Sequence, residues 1–344
     1  MLTETKIELP ELKAGFSVRP GSLADIEAAT ELFNTFSMHY LGHKEIDVDQ
    51  VKNEWVSPGF DPARDIRLVF APDGKLVGYI EVWTTSIPPV HPWIWARIHP
   101  DYEELGIGTY LNAWAEQRAH KVFEVVPDDL RVAMQSGIDN RIEPAKALLE
   151  GYGYNLIRHS FRMRVEFDQP FPEPEWPEGI ELKPYKHPEQ LEAVYRADME
   201  AFRDHFGFVE EPFEEGFKRY KYFLTENDVF DPSLWFLAMA GDEIAGICIC
   251  RKHSWEEKDL GWVSILGVRR PWRRQGLGLA LLHHAFNAFY QRGKRKVGLG
   301  VDAGSLTGAT RLYERAGMHV HSQFDLYEKE LRPGKELATT ELEE

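Results

Sequence analysis

The chain has 344 residues, enough for two domains of ordinary size, and 43% of its residues are hydrophobic, enough for two packed cores. This composition excludes a disordered chain. Its 56 Asp and Glu residues outnumber its 40 Lys and Arg residues, so most of its surface would repel nucleic-acid backbones and anionic lipids. We expect no nucleic-acid or membrane partner, and any anion site must be a local exception to the net charge of −16.

The N-terminal sequence, MLTETKIELPELKAG, has neither the basic segment nor the apolar stretch of a secretory signal. No apolar run reaches the roughly 18 residues that a membrane-spanning helix needs. We therefore expect a cytoplasmic protein. The sequence leaves a monomer and a homodimer open.

The first half of the chain predicts a mixed α/β domain over residues 1–166. FSVRPGSLADIEAATELFNTF, from residue 16, predicts a strand and an amphipathic helix. Further strands are predicted in IRLVFAP, LVGYIEVWTT and HPWIWARIHP. YEELGIGTYLNAWAEQ then predicts a Gly-x-Gly turn that opens a helix.

The segment FDQPFPEPEWPE, residues 167–178, contains four prolines and four acidic residues. This composition disfavours both helix and central strand and predicts a semi-rigid linker. A second domain is expected over residues 179–332, followed by an acidic tail over residues 333–344.

The second half repeats the order of the first. IELKPYKHPEQLEAVYRADMEAF predicts a strand and a helix, and LWFLAMA, IAGICICRK and GWVSILGV predict three strands. The two Gly-x-Gly turns are 170 residues apart, and LLEGYGY and LYERAGM are 164 residues apart. This spacing indicates a duplicated mixed-sheet α/β unit. Cys248 and Cys250 alternate within one of these strands, which predicts small core residues.

The stretch LGVRRPWRRQGLGLALLHHAF gathers positive charge between a predicted strand and a predicted helix. A helix N-terminus attracts phosphate, glycines let the main chain approach it, and Arg side chains can clasp its oxygens. A solvated basic turn is the alternative. Neither the Gly-Lys-Ser/Thr of a Walker A loop nor the third small residue of a Rossmann fingerprint is present. The charged and glycine positions are Arg269, Arg270, Arg273, Arg274, Gly276 and Gly278.

The pattern Arg273-x-x-Gly276-x-Gly278, followed by VDAGSLTGATRLYERAGM, resembles the acyl-CoA loop and the next strand and helix of the GNAT N-acetyltransferase superfamily. The resemblance covers both halves and implies two tandem GNAT-like domains with acetyl-CoA as acyl donor. The implied activity is an N-acetyltransferase acting on a primary amine of a small molecule, by direct attack in a ternary complex.

By this resemblance, backbone amides from Arg273 to Gly278 would hold the pyrophosphate. Main-chain groups of Leu266 and Val268 would pair with the pantetheine arm and polarise the thioester carbonyl. The full set of implied cofactor-binding residues is Leu266, Gly267, Val268, Arg273, Arg274, Gln275, Gly276, Leu277, Gly278, Leu279 and Ser305, the last standing where many relatives have Asn.

Tyr313 matches the family tyrosine that protonates the departing thiolate, and a core aromatic is the alternative. The resemblance does not supply a general base, because Trp262 stands where a family member with two tandem domains has a glutamate. The candidates, each of which could also be an exposed turn residue, are Glu257, Asp259 and His205, with their neighbours Glu256 and Asp204. Phe206, Phe208 and Phe213 either line an acceptor pocket or serve packing.

The first half lacks the positively charged loop residues and the proton-donating tyrosine of the second half. Glu103 and Glu104 replace Arg273 and Arg274, and Leu149 replaces Tyr313. We expect a degenerate first domain, although Gly106 and Gly108 leave a weak second cofactor site open. A non-catalytic acyl-CoA-binding protein is an alternative for the whole chain. The paired histidines, His283 with His284 and His319 with His321, lack a third ligand, so no metal is expected.

Overall fold

The computed structural model describes residues 7–305 and 308–341 and divides into two compact units. The first unit comprises residues 1–157 and 325–337, and the second comprises residues 158–324 and 338–344. The division is therefore not a single cut near residue 166. Each unit takes a strand segment that the sequence had placed with the other half. Residues 342–344 of the predicted acidic tail lie outside the described residues.

The first unit is a mixed sheet with helices. Its strands pair in the order β1-β2-β3-β4-β5, with the second part of β12 next to β5; the first three pairings are antiparallel and β4 with β5 is parallel. The strands are β1 (Ser17–Pro20), β2 (Ile66–Phe70), β3 (Leu76–Trp83), β4 (Trp93–Ile98), β5 (Val132–Asp139) and residues 325–332 of β12 (His319–Arg332). The helices are α1 (Ile26–Tyr40), α2 (Val48–Trp55), α3 (Pro62–Asp65), α4 (Ile107–Ala119) and α5 (Glu143–Gly151).

Ion pairs fix the second part of β12 in the first unit. Arg131, which precedes β5, binds Glu328 at 2.5 Å, Glu330 at 2.9 Å and Glu336 at 3.0 Å. Lys329 binds Glu116 on α4 at 2.7 Å. A chain segment more than 170 residues from α5 thus completes this unit.

The second unit has the same architecture. Its strands pair in the order β6-β11-β10-β9-β8-β7, with β10 and β11 parallel and the other pairings antiparallel. The strands are β6 (Asn155–Glu166, from residue 158 in this unit), β7 (Ile180–Pro184), β8 (Trp235–Ala240), β9 (Glu243–Arg251), β10 (Leu260–Val268) and β11 (Lys296–Asp302). The helices are α6 (Leu191–Phe202), α7 (Phe213–Thr225), α8 (Leu277–Gln291) and α9 (Ala309–Arg315). The predicted mixed-sheet α/β class is confirmed.

Two apolar clusters cover the two faces of the second sheet. Phe286 and Phe289 of α8 are fully buried against Val263, Val297 and Leu299 on one face. On the other face, the apolar side of α6 packs on residues of β8 and β9 such as Leu237 and Ile247. Burying each large side chain contributes about 1.5–3 kcal/mol. The predicted core positions Cys248 and Cys250 are buried, with their sulfur atoms 3.7 Å apart.

The Pro-rich segment 167–178 forms neither helix nor strand, as its composition predicts. It is nevertheless packed within the second unit. Phe167, Phe171 and Trp176 contact the core beneath α8, and Asn287 of α8 accepts from the Phe171 N–H at 2.7 Å and donates to its carbonyl at 3.1 Å. The three aromatic rings explain why it is held and is not a free spacer.

Within the described part of the chain, no helix combines the length and the apolar character needed to cross a membrane.

Candidate acyl-donor and acceptor site

The glycine loop of the second unit, residues 269–278, joins β10 to α8 with a backbone shaped for an anion. Arg274 and Gly276 adopt left-handed conformations, with φ of 64° and 88°. In the described residues, the backbone N–H groups of Gln275, Gly276, Leu277 and Gly278 donate to no protein acceptor. These groups lie at the positive end of the α8 dipole. The loop therefore presents a concentrated set of donors that fits a diphosphate.

Most arginines of this loop are engaged with protein groups. Arg273 donates to the carbonyls of Val268 at 3.0 Å and Ala201 at 2.9 Å, and its other terminal nitrogen binds Asp204 at 2.6 Å. Arg270 binds the same carboxylate. The sequence had predicted that such side chains clasp the phosphate directly. In the structure, Arg273 instead makes contacts within the protein that fix the shape of the loop.

The other two arginines of the loop differ from each other. Arg269 binds Glu200 at 2.7 Å and Glu243 at 3.2 Å, so its charge is already compensated. Arg274 is exposed at the tip of the loop. Of the four arginines, Arg274 is thus the one with no ion pair among the described residues.

Asp204 is a candidate base in the sequence, but in the structure it is an ion-pair partner of two arginines of the glycine loop. The carboxyl group is 4% exposed and lies between the guanidinium groups of Arg270 and Arg273, which hold its pKa well below the usual range. Such a carboxylate is a poor proton acceptor near neutral pH. Its residue position, at the end of α6, links that helix to the glycine loop.

The parallel strands β10 and β11 part before they end. Their pairing runs from Leu260 with Lys296 to Val263 with Leu299, and no later pair is recorded in the described strands. A bulge at Ser264 marks the point of separation. The Arg269 N–H donates to Ala245, on the β9 side, so alternation directs the main-chain groups of Leu266 and Val268 toward the gap. These are two of the groups that the family resemblance assigns to the pantetheine arm.

Tyr313 lies on α9, which packs against β11 and α8. Its ring is 7% exposed and packs in the cluster that contains Leu277 and Cys248. Burial, and to a smaller extent Cys248, raise the pKa of the phenol well above its usual value. A phenol in this environment stays protonated and can donate a proton.

His205 lies at the end of α6, close to the gap. Gly267 of β10 packs so tightly against this helix that an added Cβ would lie 3.1 Å from Ala201 and 3.2 Å from Phe202. The His205 ring is 4.2 Å from the Phe202 ring, centroid to centroid. Burial and the positive charge of Arg273 lower the pKa of His205, so its imidazole is neutral at pH 7.

Glu257 and Asp259 lie at the opposite end of β10. They precede Leu260, more than about 25 Å along an extended strand from Arg269. Glu257 binds Arg164 at 2.6 Å, and Asp259 binds Lys296 at 2.9 Å, which lowers the pKa of Asp259. Neither carboxylate is brought to the glycine loop.

The remaining predicted cofactor residues have distinct surroundings. The Ser305 hydroxyl accepts from the Ala309 N–H at 3.2 Å, at the start of α9. Gln275 donates to the carbonyl of Pro271 at 3.1 Å. Leu277 is buried in the core and Leu279 packs at its margin. Their side chains shape the loop and the first turns of α8 and α9.

The first unit contains a glycine loop of the same backbone shape, residues 99–108. Glu104 has φ of 57°, Gly106 has φ of 84°, and α4 begins at Ile107. Glu103 accepts from the Tyr40 hydroxyl at the end of α1. Leu149 is buried, with no proton to donate. Gly108, in the first turn of α4, packs tightly against Leu148. A Cβ at this position would lie only 2.6 Å from a methyl carbon of Leu148.

Comparisons with known proteins agree with this geometry. The sequence model of the Acetyltransferase (GNAT) family matches residues 191–318, within the second unit. The mycothiol acetyltransferase of Streptomyces bingchenggensis is 29% identical over 279 residues, covering 78% of this chain and 82% of that protein. That of Salinispora arenicola is 30% identical over 256 residues, covering 72% and 76%.

Solved structures extend the likeness to both units. A GCN5-related N-acetyltransferase from Sphaerobacter thermophilus has a TM-score of 0.79 and 35% identity, covering 96% of this chain and all of that one. A tandem GNAT protein from the clavulanic acid biosynthesis pathway has a TM-score of 0.63 at 14% identity, covering 93% and 100%, and shares the fold.

A donor-rich helix N-terminus beside two parallel strands that separate suits a ligand that carries a diphosphate. The chain belongs to the GNAT family of acetyltransferases, with two tandem GNAT folds. It is accordingly an acetyl-CoA-dependent N-acetyltransferase.

Proposed function

We propose that the second unit transfers the acetyl group of acetyl-CoA directly to a primary amine of a small molecule. The observation that carries this proposal is the combination, in one unit, of free loop donors, the gap between β10 and β11, and a buried protonated tyrosine. The first unit has the loop and a similar early parting of strands, with a single recorded pair between β4 and β5, and lacks the tyrosine.

The residues present fit acetyl-CoA as a substrate. The four unpaired N–H groups from Gln275 to Gly278 would receive the diphosphate, with Arg274 as an additional cation. The outward main-chain groups of Leu266 and Val268 would pair with the amide arm and donate to the thioester carbonyl. Donors fixed by a strand cost no reorganisation when negative charge develops on that oxygen.

Two side chains would handle the protons. His205, which is neutral and packs on Phe202, accepts a proton from the ammonium group of the acceptor, directly or through one water, and so frees the amine. The amine then attacks the thioester carbon, the C–S bond breaks, and the Tyr313 hydroxyl gives its proton to the leaving thiolate. The nitrogen of the new amide loses its second proton to solvent water, and the tyrosinate regains a proton from solvent. Holding both substrates in one site makes the attack effectively intramolecular.

A specific observation favours a second candidate, mycothiol acetyltransferase proper with a cysteinyl aminosugar acceptor. The curated relatives of 29–30% identity described above carry that name. Trp262 argues against this second candidate. By the family resemblance, mycothiol acetyltransferase would have a glutamate at this position of β10. The two candidates share the donor and differ in the acceptor.

Thiol release from acetyl-CoA across a panel of primary amines, including a cysteinyl aminosugar, tests both. We expect release that depends on an amine and yields the N-acetyl product by mass spectrometry. Release only with the cysteinyl aminosugar would favour the second candidate. Acetyl-CoA binding without turnover of any amine would contradict the proposal and favour a non-catalytic acyl-CoA-binding protein.

A further inference from the structure

An arginine without a carboxylate partner lies on the α6 face of the second sheet. Arg251 ends β9 opposite Trp262 of β10, so the two side chains share a face. Its guanidinium carbon is 4.6 Å from the ring centroid of Trp255 and 5.4 Å from that of Trp262. The group therefore lies within cation–π distance of two indole rings.

The charge of Arg251 is not neutralised by the protein. Its Nε is buried without a hydrogen-bond partner, and none of the described carboxylates forms an ion pair with it. The neighbouring carboxylate, Glu256, binds Arg162 instead. Burial lowers the pKa of Arg251 to about 10, which still leaves the group positive at pH 7. A desolvated cation of this kind is costly unless an anion approaches it.

Open space lies on the same face of the sheet as Arg251, on β11 near the gap between β10 and β11. Gly298 lets the Trp262 ring lie flat on the sheet, since a Cβ there would be 3.0 Å from that ring. Gly300, two residues on and on the same face, has open space where a Cβ would be. Arg162 stands opposite Gly300 on β6. Past Leu299 the strands separate, where the acetyl group would lie.

We propose that Arg251, beside Trp255 and Trp262, binds an oxyanion of the acceptor, so that the preferred acceptor is an amine that also carries a carboxylate or phosphate. This inference rests on the proposed function and specifies its acceptor. Arg251 is a specificity-determining residue, and Gly298 and Gly300 of β11 leave room for the acceptor's chain. The negative surface of the whole chain does not prevent it, because the cation is local and partly desolvated.

Paired acceptors test the inference. Short ω-amino acids are compared with their carboxamides, and glucosamine 6-phosphate with glucosamine, which separates a carboxylate from a phosphate source. In the parent protein we expect kcat/KM to be at least about tenfold higher for the anionic member of one pair. In Arg251→Met that preference should be lost through a higher KM, with the uncharged member changed less than about twofold. Arg251→Lys should keep part of it.

A matched control is available in the first unit. Arg67 also has a buried Nε without a partner, and its guanidinium is 4.8 Å from the Trp114 ring. Arg67→Met should cost similar stability and keep the acceptor preference. The thermal midpoint of each variant separates misfolding from loss of binding.

Calorimetric titration with glutarate and with inorganic phosphate gives a readout independent of turnover. We expect at least one to bind the parent and to bind Arg251→Met about tenfold more weakly. Equal kcat/KM within both pairs in the parent, or an unchanged preference and affinity in Arg251→Met, would overturn the inference while leaving acetyl transfer intact. Oxyanion binding at Arg251 without thiol release from any amine would instead overturn the proposed function.

Discussion

The two glycine loops of this chain have nearly the same backbone and different side-chain partners. Gly106 and Gly276 have φ of 84° and 88°, and the residues two positions before them have φ of 57° and 64°. In the first loop, Glu103 is bound to Tyr40 of α1; in the second, Arg273 is bound to Asp204 after α6. Each contact joins the glycine loop to the end of a helix of the same unit, α1 in the first and α6 in the second. The loop residue is negative in the first unit and positive in the second.

The comparison shows that loop shape and loop chemistry are separable. A Gly at the helix N-cap and a left-handed residue before it are sufficient for the shape. The charge decides whether a diphosphate is attracted, since Glu103 and Glu104 would repel it. Only the second unit adds Tyr313, where the first has Leu149. We therefore expect function in this pair of folds to depend on a few substitutions on a shared backbone.

The largest expected effect comes from removing the acid that distinguishes the units. Tyr313→Phe should lower kcat by about 100-fold or more, because general acid catalysis contributes that much, with the KM for acetyl-CoA within about twofold. Steady-state thiol release measures both. Leu149→Met in the first unit is the control and should leave turnover unchanged. Unchanged turnover in Tyr313→Phe would contradict the acid role.

His205 gives the next largest effect and a pH signature. Because its pKa is lowered from about 6.5, kcat/KM should be flat above neutral pH and fall only below about pH 6.5, as protonation removes the acceptor. His205→Gln should lower kcat by about 100-fold and abolish that acidic limb. His43, three residues after α1 as His205 is after α6, is exposed and provides the control His43→Gln. A retained acidic limb would assign the base elsewhere.

Exchanging the loop charges tests the comparison directly. Arg273→Glu breaks three contacts and places a carboxylate beside Asp204, so we expect a KM for acetyl-CoA about 30-fold higher and a lower thermal midpoint. The reverse exchange, Glu103→Arg, should cost about 1 kcal/mol from the lost Tyr40 contact and leave KM unchanged. Equal effects of the two exchanges on KM would show that both loops bind the donor.

The smallest effect distinguishes conformation from binding. Gly276→Ala and Gly106→Ala each force a left-handed alanine with open space around its Cβ, so each should lower the free energy of unfolding by about 1 kcal/mol. Denaturant unfolding measures this loss. Only Gly276→Ala should raise the KM for acetyl-CoA, by about fivefold, since 1 kcal/mol of distortion is felt at the phosphate. A raised KM in Gly106→Ala would contradict a silent first loop.

Local sequence was sufficient for the strands and helices that flank the two glycine loops and for the position of both loops. Alternating apolar residues in IAGICICRK predict β9, and apolar spacing after Gly278 predicts α8; both are confirmed. The partner of Arg273 could not be predicted, because Asp204 lies 69 residues away and a local pattern holds no information on that pairing. For the same reason, the sequence could not predict that Arg251 has no carboxylate partner. That follows only from the structure, in which the neighbouring Glu256 binds Arg162.

Residues 325–337, which complete the first unit, leave the ribosome after nearly all of the second unit has been made. N-terminal domains commonly fold during synthesis, before the rest of the chain emerges. During synthesis, β5 of the first unit therefore lacks its neighbour, the second part of β12, until residues 325–332 have been made. By then, the strands β7 to β11 of the second unit have already been made. Neither fold is therefore complete until the C-terminal residues have been made, and an expression boundary drawn at residue 157 or 166 would yield a first unit without its last strand.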